Sequence, residues 1–117
     1  MNLISKDINL SQSVPTTSLR TLLSLQVPSR GFMKLTHFGN YMDTVAAWGL
    51  VTWMIKRNGI GVYPYHGILD QIGSGIEPRL IEPLIFNGGD LLTIDVYNAY
   101  AGTVGIGISV KHEFLGD

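Results

Sequence analysis

Apolar and polar residues alternate with a period of two in short runs, and glycine or proline ends each run before a helical turn can repeat. Val104, Ile106, Ile108 and Val110 alternate with Gly105, Gly107 and Ser109; Leu92, Ile94 and Val96 alternate with Thr93, Asp95 and Tyr97. Successive side chains of a strand point to opposite faces, so each run has one apolar and one polar face. No run of ten or more residues shows a capped helical period. The chain therefore reads as all-β.

The turn signals agree. Asn58-Gly59 supplies the positive φ angles of a two-residue type I′ hairpin. It joins a strand over Gly49–Arg57, with Val51, Trp53 and Ile55 on one face, to a return strand over Ile60–Tyr63. That register sets Ile55 against Val62, a stabilising cross-strand pair. Pro28-Ser-Arg-Gly31 separates a strand over Leu19–Val27 from one over Phe32–Tyr41, where Met33, Leu35 and His37 are expected on one face. Met42–Trp48 reads as a loop or one helical turn, and Ile68–Ile72 as a helical turn in the irregular stretch Pro64–Pro78. Pro83 places the strand Arg79–Phe86 at an edge or a bulge. Asn87-Gly-Gly-Asp90 and Ala99–Thr103 turn the chain into its last two strands, Leu91–Asn98 and Val104–Phe114.

Strands that are apolar on one face must pair those faces. The expected fold is an antiparallel β-sandwich, jelly-roll or Greek-key. Residues 19–117 form one domain. Residues 1–18 are polar with scattered Leu and Ile, and read as an extended N-terminal arm with a short strand at Asp7–Leu10. Its apolar residues, Leu3, Ile4, Ile8 and Leu10, need a surface, either their own domain or a neighbouring subunit with which the arm is exchanged.

Charge and composition narrow the partners. Charged residues make up 15% of the chain, against about 25% in an average soluble domain, which suits a surface partly covered by a partner. The net charge is −1 and Lys56-Arg57 is the only adjacent basic pair, so a groove for nucleic acid is not expected. The chain has no Cys, which excludes disulfides, thiolate nucleophiles and Cys-ligated metals. Lys6 and Asp7 interrupt the N-terminus before a signal-like apolar run, and Ala46–Ile55 is about half a membrane span. A soluble protein with no membrane contact is expected.

No catalytic constellation emerges. His37, His66 and His112 lack metal-ligand spacing, and the clustered His-x-His of a cupin-like site is missing. Asp70 and Glu77 are the carboxylates nearest to a glycosidase pair, and loop carboxylates are ordinarily just solvated. There is no nucleophile elbow and no phosphate-binding loop. The expectation is a non-enzyme with no cofactor and no metal.

Two features suggest binding. Tyr63-Pro-Tyr65, where a strand gives way to the long loop, offers aromatic area with polar tips to a glycan or a protein, or packs under its own loop. Gly105 and Gly107 leave backbone bare on the face opposite the core. Either another chain docks there, or an aromatic such as Tyr97 or Tyr100 covers them.

The stretch from Val27 to Val110 resembles small structural proteins of tailed bacteriophage virions, of the capsid decoration (cement) type. The residues that carry the resemblance include Leu35-Thr-His-Phe-Gly-Asn40, Trp48-Gly-Leu-Val-Thr-Trp53, Asn58-Gly-Ile-Gly-Val-Tyr-Pro64, Glu82-Pro-Leu-Ile-Phe-Asn-Gly-Gly89 and Leu92-Thr-Ile-Asp-Val-Tyr-Asn98. The resemblance implies a jelly-roll-like homo-oligomer, a dimer or trimer, that binds the major capsid protein or other virion proteins and stabilises the head. It implies location on the capsid surface after synthesis in the host cytoplasm. A glycan- or receptor-binding module of a spike or fibre, and a tail adaptor or assembly protein, are the alternatives.

Overall fold

A computed structural model describes residues 3–73 and 77–115, with the side chains of Leu3 and Ile4 outside the described set. Eight strands follow in order: β1 (Leu3–Val14), β2 (Ser18–Gln26), β3 (Phe32–Met42), β4 (Val51–Arg57), β5 (Ile60–Gly61), β6 (Arg79–Asn87), β7 (Leu91–Asn98) and β8 (Val104–Leu115). One 3₁₀ turn, Val45–Ala47, fills the link between β3 and β4. Among the described residues no helix is long and apolar enough to cross a membrane.

The strands form two four-stranded antiparallel sheets, β1-β8-β3-β6 and β2-β7-β4-β5. Hydrogen-bonded neighbours therefore include β1 with β8, β2 with β7, β3 with β6 and β4 with β5. That is one long two-legged ribbon, hairpinned at Asn58-Gly59 and wrapped into a sandwich: the jelly roll. Asn58 and Gly59 have φ of 52° and 83°, as the type I′ turn requires.

The inner faces carry the expected alternation. Val51, Trp53 and Ile55 of β4, Leu92, Ile94 and Val96 of β7, and Val104, Ile106, Ile108 and Val110 of β8 are fully buried. Trp53 stacks on Trp48 with ring centroids 5.3 Å apart. Pro83 lies on an edge strand, opposite the irregularity between β6 and β3, so the proline disturbs no central ladder.

Four expectations are corrected. The expected arm, residues 1–18, does not lie off the domain over its described part: β1 pairs with β8 along all twelve residues from Leu3 to Val14, with Val14 fully buried. Alternating Ile8, Leu10 and Val14 give the segment an inner face, and the surface they lie on is their own sandwich. His37 does not share a face with Met33 and Leu35. A bulge at Thr36 shifts the register against both neighbours, so that Phe38 and Asn40 turn inward, each fully buried. The Thr36 hydroxyl donates to the Lys111 carbonyl at 3.1 Å within the bulge.

The return strand β5 ends after two residues, and Ile68–Ile72 is not a helical turn. Ile68 instead forms a bridge with Trp53, donating to and accepting from its backbone at 2.8 and 2.9 Å. Asn40 then captures the segment: its Nδ2 donates to the Asp70 carbonyl at 2.9 Å and its Oδ1 accepts from the Ile72 amide at 2.7 Å. With those backbone groups bound to a buried side chain, no helical bond is left to form. Part of the expected helix stop, Ser74 and Gly75, lies outside the described residues.

Candidate functional site: the β5–β6 flank

Strands β5 and β6 end their respective sheets, and the described part of the loop between them lies along β4 through Tyr65 and Ile68. The hairpin register holds β5 only as far as Gly61, after which the Val62 amide donates to Ile55 at 2.9 Å, the inter-strand pair expected from the turn. The Ile55 amide donates to Tyr65 at 3.0 Å and the Trp53 amide to Ile68. Between Val62 and Ile68 the loop thus covers two inner positions of β4 with extra chain, which has to leave the sheet. Tyr63 sits at the top of that excursion, 82% exposed, and its ring stacks on His66 with centroids 5.7 Å apart. Gly61 makes the return possible, because a Cβ there would lie 2.6 Å from the His66 Cβ.

Two side chains tie the sheets together along this flank. The Tyr65 hydroxyl accepts from the Glu82 amide of β6 at 3.1 Å. Arg57 lies over the Phe86 ring at 4.9 Å and donates to the Ile85 carbonyl. At the hairpin tip, Asn58 accepts from the Leu91 amide at 2.8 Å and donates to Asp90 at 3.1 Å. Asp90 also accepts from the Asn87 amide at 2.8 Å. That amide, then the Asn58 side chain and Arg57, hold the Asp90 carboxyl below its ordinary range. The β4–β5 and β6–β7 turns are thereby locked as one unit.

The locked flank carries apolar surface. Among the described residues, Ile60, Tyr63, Leu69, Leu80 and Ile85 are five of the eight large apolar side chains that stand exposed, and all belong to β5, β6 or their connection. A shallow depression of about 340 Å³ runs beside it, bordered by Arg57, Ile60 and Tyr63.

The residues singled out from sequence are not gathered in one place. Tyr63 is exposed on the flank, whereas Tyr65 is half-buried beneath the loop. Ile8 and Leu10 pack partly against the core from β1, at the opposite edge of the β1-β8-β3-β6 sheet. Leu3 and Ile4 lie outside the residues whose side chains are described. Gly105 and Gly107 are not open to a docking chain. Tyr41 covers Gly107 and Asp43 covers Gly105, both from β3 or its end, and neither Tyr97 nor Tyr100 is involved. Asp43 accepts from the Gly105 amide at 2.9 Å. The hydrogen bonds from Thr44 and then Gly105 hold its carboxyl low.

Asp70 and Glu77 are exposed. Among the described residues no three His, Asp or Glu side chains converge as metal ligands would. The sequence does not mark Ile60, Leu80 and Ile85 as exposed: each reads as an apolar strand residue, and Leu80 and Ile85 are bare because they stand on the outward face of β6, alternating with buried Ile81, Leu84 and Phe86.

The chain matches no family model and no curated protein sequence. Among solved structures it is similar to dimeric latent PorU from Porphyromonas gingivalis, at 12% identity and a TM-score of 0.44, over 97% of this chain and 13% of that one.

Proposed function

We propose that this chain is a non-enzymatic structural protein of a phage virion, docking on the head as a decoration protein through the β5–β6 flank. The observation that carries the reading is the concentration of exposed Ile60, Tyr63, Leu69, Leu80 and Ile85 on one polar-locked side of the sandwich. Exposed apolar side chains gathered on a few adjoining elements mark interaction sites, and a rigid surface costs little ordering entropy on binding. The sequence resemblance supplies the partner, the major capsid protein. A shell part can rely on a small patch, because each copy is held by several neighbours. Jelly rolls serve capsid and lectin domains alike, so the fold itself does not choose between them.

Co-sedimentation with expanded phage capsids tests the reading, together with solution mass by light scattering at several concentrations. Saturable binding to capsids and a concentration-dependent dimer or trimer are expected. A strict monomer that stays in the supernatant overturns the proposal. One observation favours a second reading as a glycan-binding module: the exposed Tyr63 ring stacked on His66 forms a platform of the kind sugars lie on. Saturable shifts of the Tyr63 and His66 ring resonances on adding host surface glycans would select it.

A further inference from the structure

The chain holds two Asn-Gly pairs, Asn58-Gly59 and Asn87-Gly88. Such a pair is chemically labile, because a glycine without a Cβ lets its amide nitrogen approach the preceding side chain closely. The fold demands both glycines. Gly59 holds a φ of 83° in the β4–β5 turn, and a Cβ on Gly88 would run into the Ser29 carbonyl.

The two asparagines differ in how their side chains are held. Asn58 is bound at both ends of its amide: Nδ2 donates to Asp90 at 3.1 Å and Oδ1 accepts from the Leu91 amide at 2.8 Å. Asn87, the last residue of β6, is exposed, and its side-chain amide has no hydrogen-bond partner among the described residues. Only its backbone is engaged, donating to the Asp90 carboxylate at 2.8 Å and accepting from the Asp90 amide at 2.9 Å. The Gly88 amide nitrogen likewise has no hydrogen-bond partner among the described residues.

We infer that Asn87 is a site of spontaneous deamidation, the one of the two Asn-Gly pairs that folding leaves reactive. The Gly88 nitrogen attacks Asn87 Cγ and forms a C–N bond. The Cγ–Nδ2 bond breaks, and Nδ2 takes the Gly88 proton and leaves as ammonia. Water then opens the cyclic imide. Attack at the side-chain carbonyl gives aspartate, and attack at the main-chain carbonyl gives isoaspartate, whose backbone runs through the side chain. Either product puts a carboxylate beside Asp90 where a neutral amide stood. Isoaspartate also adds a backbone carbon to a turn that the Asp90 bonds and the Ser29 contact already fix. The lock between the β4–β5 and β6–β7 turns therefore weakens as the chain ages, whatever the flank binds.

The full chain, folded in buffer or unfolded in guanidinium chloride, is incubated at mildly alkaline pH while peptide mapping follows aspartate and isoaspartate at both positions. In the folded chain Asn87 should convert at least about tenfold faster than Asn58, whose two hydrogen bonds must break first. In denaturant the two rates should come together, since each asparagine precedes a glycine. The urea midpoint of refolded or native chain should fall as Asn87 converts, and Asn87→Gln should hold it constant over the same time. The inference is overturned if Asn87 stays intact in the folded chain, or if Asn58 converts there as fast. It is equally overturned if the difference in rates persists in denaturant, since sequence rather than folding would then set it, or if the midpoint is unmoved once Asn87 has converted.

Discussion

A Cβ built on Gly107 would lie 2.1 Å from Cζ of Tyr41, its register partner on the neighbouring strand β3. The tyrosine ring thus occupies the space that any side chain at 107 would need. An aromatic laid across a strand pair onto a glycine stabilises both the pairing and its register.

Gly107→Ala is therefore expected to destabilise the chain by about 1–2 kcal/mol, as overpacking does, because the Tyr41 ring must swing away. In a Tyr41→Ala background the sign should reverse. The crowding is gone, and alanine in a strand is better than glycine by roughly 0.5–1 kcal/mol. Urea midpoints of the four proteins in the cycle measure this, and equal effects of Gly107→Ala in both backgrounds would refute it.

Asn98 is fully buried at the end of β7. Its Nδ2 donates to Val14 and Gly102 at 2.9 Å each, and its Oδ1 accepts from the Tyr100 amide at 2.8 Å. One side chain thus joins the end of β1 to the β7–β8 turn. Asn98→Ala should cost about 2–3 kcal/mol, since buried backbone groups lose their partners. Chemical denaturation reads the loss directly.

Asn40→Ala should act more locally. Removing the side chain frees the Asp70 carbonyl and the Ile72 amide. The loop from Leu69 onward is expected to open well below the global unfolding free energy. Hydrogen exchange at the Ile72 amide should accelerate by at least about tenfold, while the amides of Ile94 and Ile108 in the central strands change little.

Acid should weaken the fold through His112. Burial, and then the nearby Lys6, push its pKa below the usual 6.5, with Asp7 opposing. In the folded state the ring stays neutral at a pH where the unfolded chain already binds the proton. Stability is thus complete above the unfolded pKa of 6.5 and falls as the pH drops below it toward the folded value. The urea midpoint should be lower at pH 5 than at pH 7.5, and His112→Leu should flatten that difference. Asp43 and Asp90, also held low, act only at more acid pH, as it falls through 3.8 and below.

Ile60→Lys and Tyr63→Ser together should leave the urea midpoint within about 0.5 kcal/mol of the parent, as exposed positions ordinarily do. The same pair should remove capsid co-sedimentation. Binding that survives both changes would locate the contact elsewhere.

Local chemistry determined much of this fold. The alternation of Leu92, Ile94 and Val96, and of Val104, Ile106, Ile108 and Val110, determined which faces are buried, because a strand has only two. Asn58-Gly59 determined the tight hairpin by its φ angles, and Pro83 its edge strand by its missing amide. What depended on distant partners was decided by the tertiary structure alone. The bulge at Thr36 that turns Phe38 and Asn40 inward exists only against β6 and β8. The non-helical path of Asp70–Ile72 exists because Asn40, thirty residues away, takes its backbone bonds. Residues 1–18 read locally as a polar arm with scattered Leu and Ile, and only pairing with β8 makes Leu3–Val14 a strand. The candidate sites share that origin. An exposed Ile60, or an Asn58 held where Asn87 is not, is a fact of neighbours and edges, and the order of strands in a sheet is set by long-range packing that a local pattern does not encode.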